Sequence, residues 1–229
     1  MKGLNLNQLY TRMANNFSRP KVAQLLIESI DNSRLEYDKL NETMLSDAPE
    51  YFITVNSVKS LSKRFSYSDV TMEWSVKDAL DEIKNKSNKK GKKPGRPYSG
   101  LRENGRFDIV LWEGDSPWGV IEMKKGIWEK KQYEGDIKRI RAILKKAQDI
   151  RKNYELNSFF AFYLEREDSK NKSKMADSKI SDFLKNMKKN AEIILNEEFD
   201  FKIVKGEFSR YKGELRNWGF QPFCFVIHN

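Results

Sequence analysis

Three charged residues stand where charge is hardest to keep: Asp108 in "GRFDIVLW", and Glu122 and Lys124 in "GVIEMKKG". Phe, Ile, Val, Leu and Trp surround them, so both stretches read as mostly buried strands. A charge in such a strand costs free energy unless something compensates it. Two carboxylates and an ammonium are the parts needed to hold a divalent cation and act on a phosphate. Hard cations such as Mg2+ take carboxylate oxygen, often from only one or two side chains, and leave other positions to water and a substrate phosphate. The cation polarises the phosphate and acidifies a water, while the ammonium orients that water or stabilises developing charge. The bland alternative is coincidence, because Asp, Glu and Lys recur at such spacings in any chain that is 33% charged.

A hairpin would bring the three together. Strand alternation puts Asp108 on one face with Val110 and Trp112, and Phe107, Ile109 and Leu111 on the other. In the second strand Glu122 and Lys124 share a face with Val120, opposite Ile121 and Met123. Glu113-Gly114-Asp115-Ser116-Pro117 signals the turn. Folded symmetrically about Asp115, the hairpin sets Asp108 across from Glu122, with Cβ atoms roughly 5 Å apart, and Arg106 across from Lys124. Like charges that close need a counter-charge. Lys124 can neutralise one of them; a bound cation does better, and the Met123 carbonyl offers it a further ligand.

The rest of the chain must position that hairpin. At 229 residues with 38% apolar and 12% aromatic content it is long enough for one sizeable core. The expectation is a single domain over 1–229 with an N-terminal helical segment, 1–46. Val22, Leu25, Leu26 and Ile30 recur at helical spacing, followed by Leu35, Leu40 and Met44. Ser46-Asp47-Ala48-Pro49-Glu50 starts a second helix that would bury Phe52, Val55, Val58 and Leu61. "YSDVTMEWSV" reads as a strand containing Glu73. Beyond the hairpin, Tyr133, Ile137, Ile140, Leu144 and Ala147 form the stripe of an amphipathic helix. "SFFAFYL" is a buried strand, "EREDSKNKSKMADSK" a polar loop, 180–195 another helix, and "DFKIVKGEF" and "FCFVIH" are strand-like. Strands and helices mixed along one chain predict an α/β fold, a mixed central sheet flanked by helices.

Mean hydropathy of −0.76 and pI near 9.4, with a formal charge of +10, favour a polyanionic partner, nucleic acid above all. An acidic membrane surface fits less well, since no basic amphipathic helix with a large apolar face stands out. The single cysteine, Cys224, excludes a disulfide and a Cys-based zinc site. The single histidine, His228, lies beside the C-terminus, so a His-dependent mechanism is not expected. No signal peptide or run of ~20 apolar residues is evident, which predicts a cytoplasmic protein. "KNKSNKKGKKPGR", 84–96, holds seven basic residues and no acid. It reads as a mobile basic loop, with Lys89, Lys90, Lys92, Lys93 and Arg96 available to phosphates. Arg106, Lys125 and Lys131 are further phosphate contacts, and Lys130, Lys138 and Arg141 flank the same cleft. Asp136 and Arg139, one turn apart, suit an ordinary helix ion pair better than a role in the site. Trp74, Trp112 and Trp118 are expected in the core; Trp128, just beyond the charged cluster, stays open.

The Asp-spacer-Glu-x-Lys pattern in this strand context resembles the core of the PD-(D/E)XK nuclease superfamily, the restriction-endonuclease-like fold. Asp108 matches the acid at a strand's beginning, and Glu122-Met123-Lys124 matches the Glu-x-Lys of the next strand, over roughly residues 47 to 165. The proline that often precedes the acid is replaced by Phe107. The resemblance implies a mixed sheet between helices, and a Mg2+-dependent endo- or exonuclease, Mn2+ substituting, that acts on DNA more than RNA. It also implies a metal held by Asp108, Glu122 and the Met123 carbonyl, with Lys124 catalytic. Many members carry an upstream glutamate, for which Glu73 is the choice, with Glu28, Glu50 and Glu82 as alternatives. By analogy, cutting both strands would call for a homodimer. The competing expectation is a nucleic-acid-binding or interaction module that keeps the fold without the chemistry.

Overall fold

The structure, a computed structural model, describes residues 17–41, 44–85, 105–169, 175–212 and 217–228. Its centre is a seven-stranded sheet in the order β1-β2-β3-β4-β7-β5, with β6 also paired to β7. The strands are β1 Val70–Ser75, β2 Arg106–Glu113, β3 Ser116–Lys124, β4 Asn157–Glu167, β5 Asp200–Lys205, β6 Ser209–Lys212 and β7 Asn217–His228. Among the described strands β3 and β4 alone run parallel; the other pairs are antiparallel. The helices are α1 Arg19–Asn41, α2 Glu50–Arg64, α3 Val76–Asn85, α4 Glu134–Ile150 and α5 Ala176–Leu195. The fold is thus α/β, with a mixed, mostly antiparallel sheet flanked by helices.

Two apolar layers cover the two sheet faces. In one, Val22, Leu26 and Ile30 of α1 and Ile53 and Leu61 of α2 meet Ile109, Leu111, Ile121, Phe159 and Tyr163. In the other, Leu80 and Ile83 of α3, Ile137, Ile140 and Leu144 of α4, and Ile180 and Leu184 of α5 meet Val110, Val120, Phe160 and Phe162. The crossover between the parallel strands β3 and β4 is α4, the connection such a pair requires.

Several local expectations shift. Leu35 and Leu40 are exposed rather than part of α1's apolar stripe. The buried face of α2 is Ile53, Ser57 and Leu61, while Phe52, Val55 and Val58 are half-buried. The small Ser57 lets α1 approach, and its hydroxyl meets that of Ser29 at 2.6 Å. Helix α3 fills the stretch between the expected strand and the basic loop, for which no element is expected; Val76, Ala79, Leu80 and Ile83 make its buried stripe. Strand β4 runs three residues into the supposed polar loop and buries Glu165 and Arg166. Most of the basic stretch 84–96, including Lys89, Lys90, Lys92, Lys93 and Arg96, lies outside the described residues. Among the described residues no helix is long and apolar enough to cross a membrane.

The hairpin keeps the expected register in its body, with Ile109 across from Ile121 and Val110 across from Val120. A bulge between Leu111 and Trp112 shifts it near the turn, where Gly114 takes φ +61°. At the other end the face alternation also departs from expectation. Phe107 packs in the layer with Val110 and Trp112, not with Ile109 and Leu111. The neighbouring strand is irregular at the same place: on β1, Glu73, between Met72, which pairs Ile109, and Trp74, which pairs Phe107, takes φ +54° and has no partner in the ladder. Such irregularities re-aim side chains at a strand end, and here the interruption falls beside Asp108.

Candidate active site

Asp108 and Glu122 meet at one end of the sheet. Continuing the Ile109–Ile121 register by one residue sets them across from each other, and Asp108 Oδ2 accepts the main-chain N–H of Met123 at 2.7 Å. Burial raises the Asp108 carboxyl to about 6, against the lowering effect of the Met123 N–H; Glu50 raises it further, and Arg139 and Lys124 oppose. Glu122 is 3% exposed. Burial pushes its carboxyl well above the usual range, opposed chiefly by Arg139 and reinforced by Asp108. The two acids therefore feel each other, as the hairpin pattern predicts.

Tertiary packing adds the groups around them. From α4, on the face that also buries Val120, Arg139 forms an ion pair with Glu122 Oε2. It also lies 3.6 Å from Asp136, the helix pair expected at that spacing. Glu122 Oε1 is buried without a hydrogen-bond partner. Lys124 Nζ lies 3.6 Å from Asp136 and 3.8 Å from Glu50. Glu50 comes from the opposite layer, in the first turn of α2, where the partial positive charge of the helix start suits a carboxylate. Its Oε2 accepts the Lys125 N–H at 3.1 Å, while Lys125 Nζ donates to the Ala48 carbonyl at 2.7 Å. The upstream glutamate that reaches the cluster is thus Glu50. Glu73 instead pairs with Arg106 at 3.4 Å, both side chains well exposed. Glu28 is exposed on α1 and accepts from Gln24, and Glu82 is half-buried on α3.

Asp136, Arg139 and Glu50 are the members that strand pattern alone does not find. The spacing of 136 and 139 signals a pair on one helix face, yet only the packing of α4 on β3 reveals that the pair borders Glu122. Elsewhere the flanking cations are engaged locally. Lys130 and Lys138 pair with Glu134, Lys131 with Glu129, and Arg141 and Lys145 with Glu198. A surface groove between α4 and α5, lined by Lys138, Arg141, Lys145 and Ile193, does not contain Asp108 or Glu122. His228 pairs with Asp200 at 3.8 Å, and the β4–β7 register puts it at the end of the sheet away from Lys124.

Among the described residues no three His, Cys, Asp or Glu side chains are grouped as a metal cage. The donor set that fits a hard cation is smaller: Asp108, Glu122 and the Met123 carbonyl. Two features of this set favour a cation. Glu122 keeps a buried oxygen without a donor, and the two carboxyls face each other out of water, where burial raises both and Asp108 raises Glu122 further. Mg2+ needs no more than one or two carboxylates from protein.

No protein-family model matches the sequence, and comparison with curated proteins and with solved structures finds no match.

Proposed function

We propose that the chain is a metal-dependent nuclease of the PD-(D/E)XK kind, hydrolysing phosphodiester bonds of nucleic acid, DNA more than RNA, in the cytoplasm. The observation that carries this reading is Glu122: a buried carboxylate with one unpartnered oxygen, set beside Asp108 and ringed by Lys124, Arg139, Asp136 and Glu50. Asp108, Glu122 and the Met123 carbonyl would hold Mg2+ or Mn2+, which supplies Lewis-acid activation of a phosphate and of water.

The remaining chemistry belongs to the chain. Met123 N–H fixes the Asp108 carboxylate on one oxygen. Arg139 holds Glu122 on Oε2 and leaves Oε1 free. Lys124, between two carboxylates at 3.6 and 3.8 Å, would donate to a phosphoryl oxygen as charge develops there. Glu50 and Asp136 are positioning residues for that ammonium. Lys125, Lys130 and Lys131 contact flanking phosphates without reading sequence, Lys130 and Lys131 by exchanging exposed ion pairs that hold them only weakly, and Lys125 by exchanging its bond to the Ala48 carbonyl.

A second reading is a non-catalytic nucleic-acid-binding module. Arg139 favours it, since a resident guanidinium already neutralises Glu122. Purified protein with Mg2+ or Mn2+ separates the two. Cleavage of single- or double-stranded DNA that Asp108→Ala and Lys124→Ala abolish, with circular dichroism unchanged, supports the nuclease. Salt-sensitive binding without cleavage of any DNA or RNA leaves the binding module.

A further inference from the structure

Strand β3 ends at the edge that carries Asp108 and Glu122, with Lys124 beside Phe162, while β4 runs on to Glu167 paired with β7. Just beyond, Trp128 is 43% exposed, whereas Trp112 is buried and the other three tryptophans are half-buried. Exposure here does not mean freedom. The Trp128 N–H donates to Gln132 Oε1 at 2.6 Å, and the Glu129 N–H to the same oxygen at 2.9 Å, which ties the loop to the one-turn helix Lys130–Gln132. Arg166 lies over the indole, 4.6 Å from its centroid, and Trp218 meets it edge-on at 6.2 Å. Arg166 is itself fixed, donating to the carbonyls of Glu165 and Ile127 and stacked against Phe183 at 4.7 Å.

We propose that Trp128 is a stacking platform for an unpaired nucleobase of the strand held at the Asp108–Glu122 centre. The proposal rests on the nuclease reading and names its substrate class: single strands, splayed ends or flaps, not continuous duplex. Every base offers a π-face to an aromatic ring, but within a duplex neighbouring bases cover those faces. A ring clamped through its backbone and from below by a guanidinium loses little freedom when a base lands on it. Lys124 and Lys125 precede it in the chain and Lys130 and Lys131 follow, so cations suited to phosphate flank the platform in sequence. Covering Arg166 accounts for one part of the indole and leaves the exposed part for a ligand.

The test is fluorescence anisotropy with labelled oligothymidylate and a blunt duplex of equal length, in an Asp108→Asn background so that nothing is cut. Trp128→Phe is expected to bind oligothymidylate within about threefold of the parent, and Trp128→Leu and Trp128→Ala about tenfold more weakly. Duplex binding stays within about twofold in every variant, and circular dichroism checks the fold. Leu as good as Trp, or equal losses on both ligands, overturns the platform, because the ring then only covers Arg166. The underlying reading fails separately: native protein that cuts nothing with Mg2+ yet still discriminates through Trp128 keeps the platform and loses the nuclease. Native protein that cuts, with Trp128 variants binding as the parent does, loses the platform alone.

Discussion

Glu122 and Glu165 sit on adjacent strands, and each is almost wholly buried. Burial raises the carboxyl of both. Their surroundings differ in kind. Glu165 accepts from the neutral hydroxyl of Tyr211 on Oε1, and its Oε2, like Glu122 Oε1, has no hydrogen-bond partner; with no cation on it among the described residues, a protonated carboxyl is an adequate state there. Glu122 has the Arg139 guanidinium on one oxygen, no donor on the other, and Asp108, Asp136 and Lys124 within electrostatic reach. A carboxyl that only closes a core tends toward neutral partners; Glu122 instead sits among fixed charges of both signs, which burial alone does not call for. The second arrangement is expensive in stability and is characteristic of sites that bind or react.

The largest expected contrast is catalytic. Lys124→Ala should lower cleavage by at least about 100-fold, whereas Glu165→Gln should leave it within about twofold; single-turnover assays with Mg2+ on one DNA substrate check both. Comparable losses from the two substitutions would erase the distinction.

Stability gives the next contrast. Arg139→Ala leaves Glu122 buried without its main counter-charge and should destabilise by about 3 kcal/mol. Tyr211→Phe removes one donor from a carboxyl that can protonate and should cost about 1 kcal/mol. Urea unfolding at neutral pH measures each, and the order of the two costs decides the matter more than their size.

The pH dependence of Asp108 is a subtler effect on the same axis. Its carboxyl ionises near 3.8 in the unfolded chain and about 6 in the folded one. The folded state therefore binds the extra proton between those values, and folding stability falls as pH rises through that window. Above it the full cost of about 3 kcal/mol remains. Asp108→Asn should accordingly stabilise the metal-free protein by up to that amount at pH 8 and by almost nothing at pH 3. A gain that does not grow between pH 4 and 6 would show that burial of the charge is not its source.

The hairpin was legible because its information is local. Alternation in "FDIVLW" and "VIEMK" and the turn at Gly114-Asp115 determine that Asp108 lies across from Glu122, whatever surrounds them. The amphipathic stripe of α4 was equally plain, since Ile137, Ile140, Leu144 and Ala147 recur at its period and all are buried. Pattern failed where a residue's neighbours come from elsewhere in the chain. Phe107 changes face next to the irregular Glu73 of β1, and the buried Glu165 and Arg166 read as loop because polar letters outweigh the strand before them.

The amino-acid order by itself settled the charged pair, the strands that carry it and the mixed sheet with helices, because strand and helix periods and short turns are encoded within a few residues. Only the tertiary structure decided that Glu50 rather than Glu73 joins Lys124, that Arg139 reaches across to Glu122, and that Trp128 alone among the tryptophans is exposed. Those placements depend on how α2 and α4 seat on opposite sheet faces. That seating is fixed by the sum of many weak apolar contacts between distant segments, which no single stretch of sequence contains.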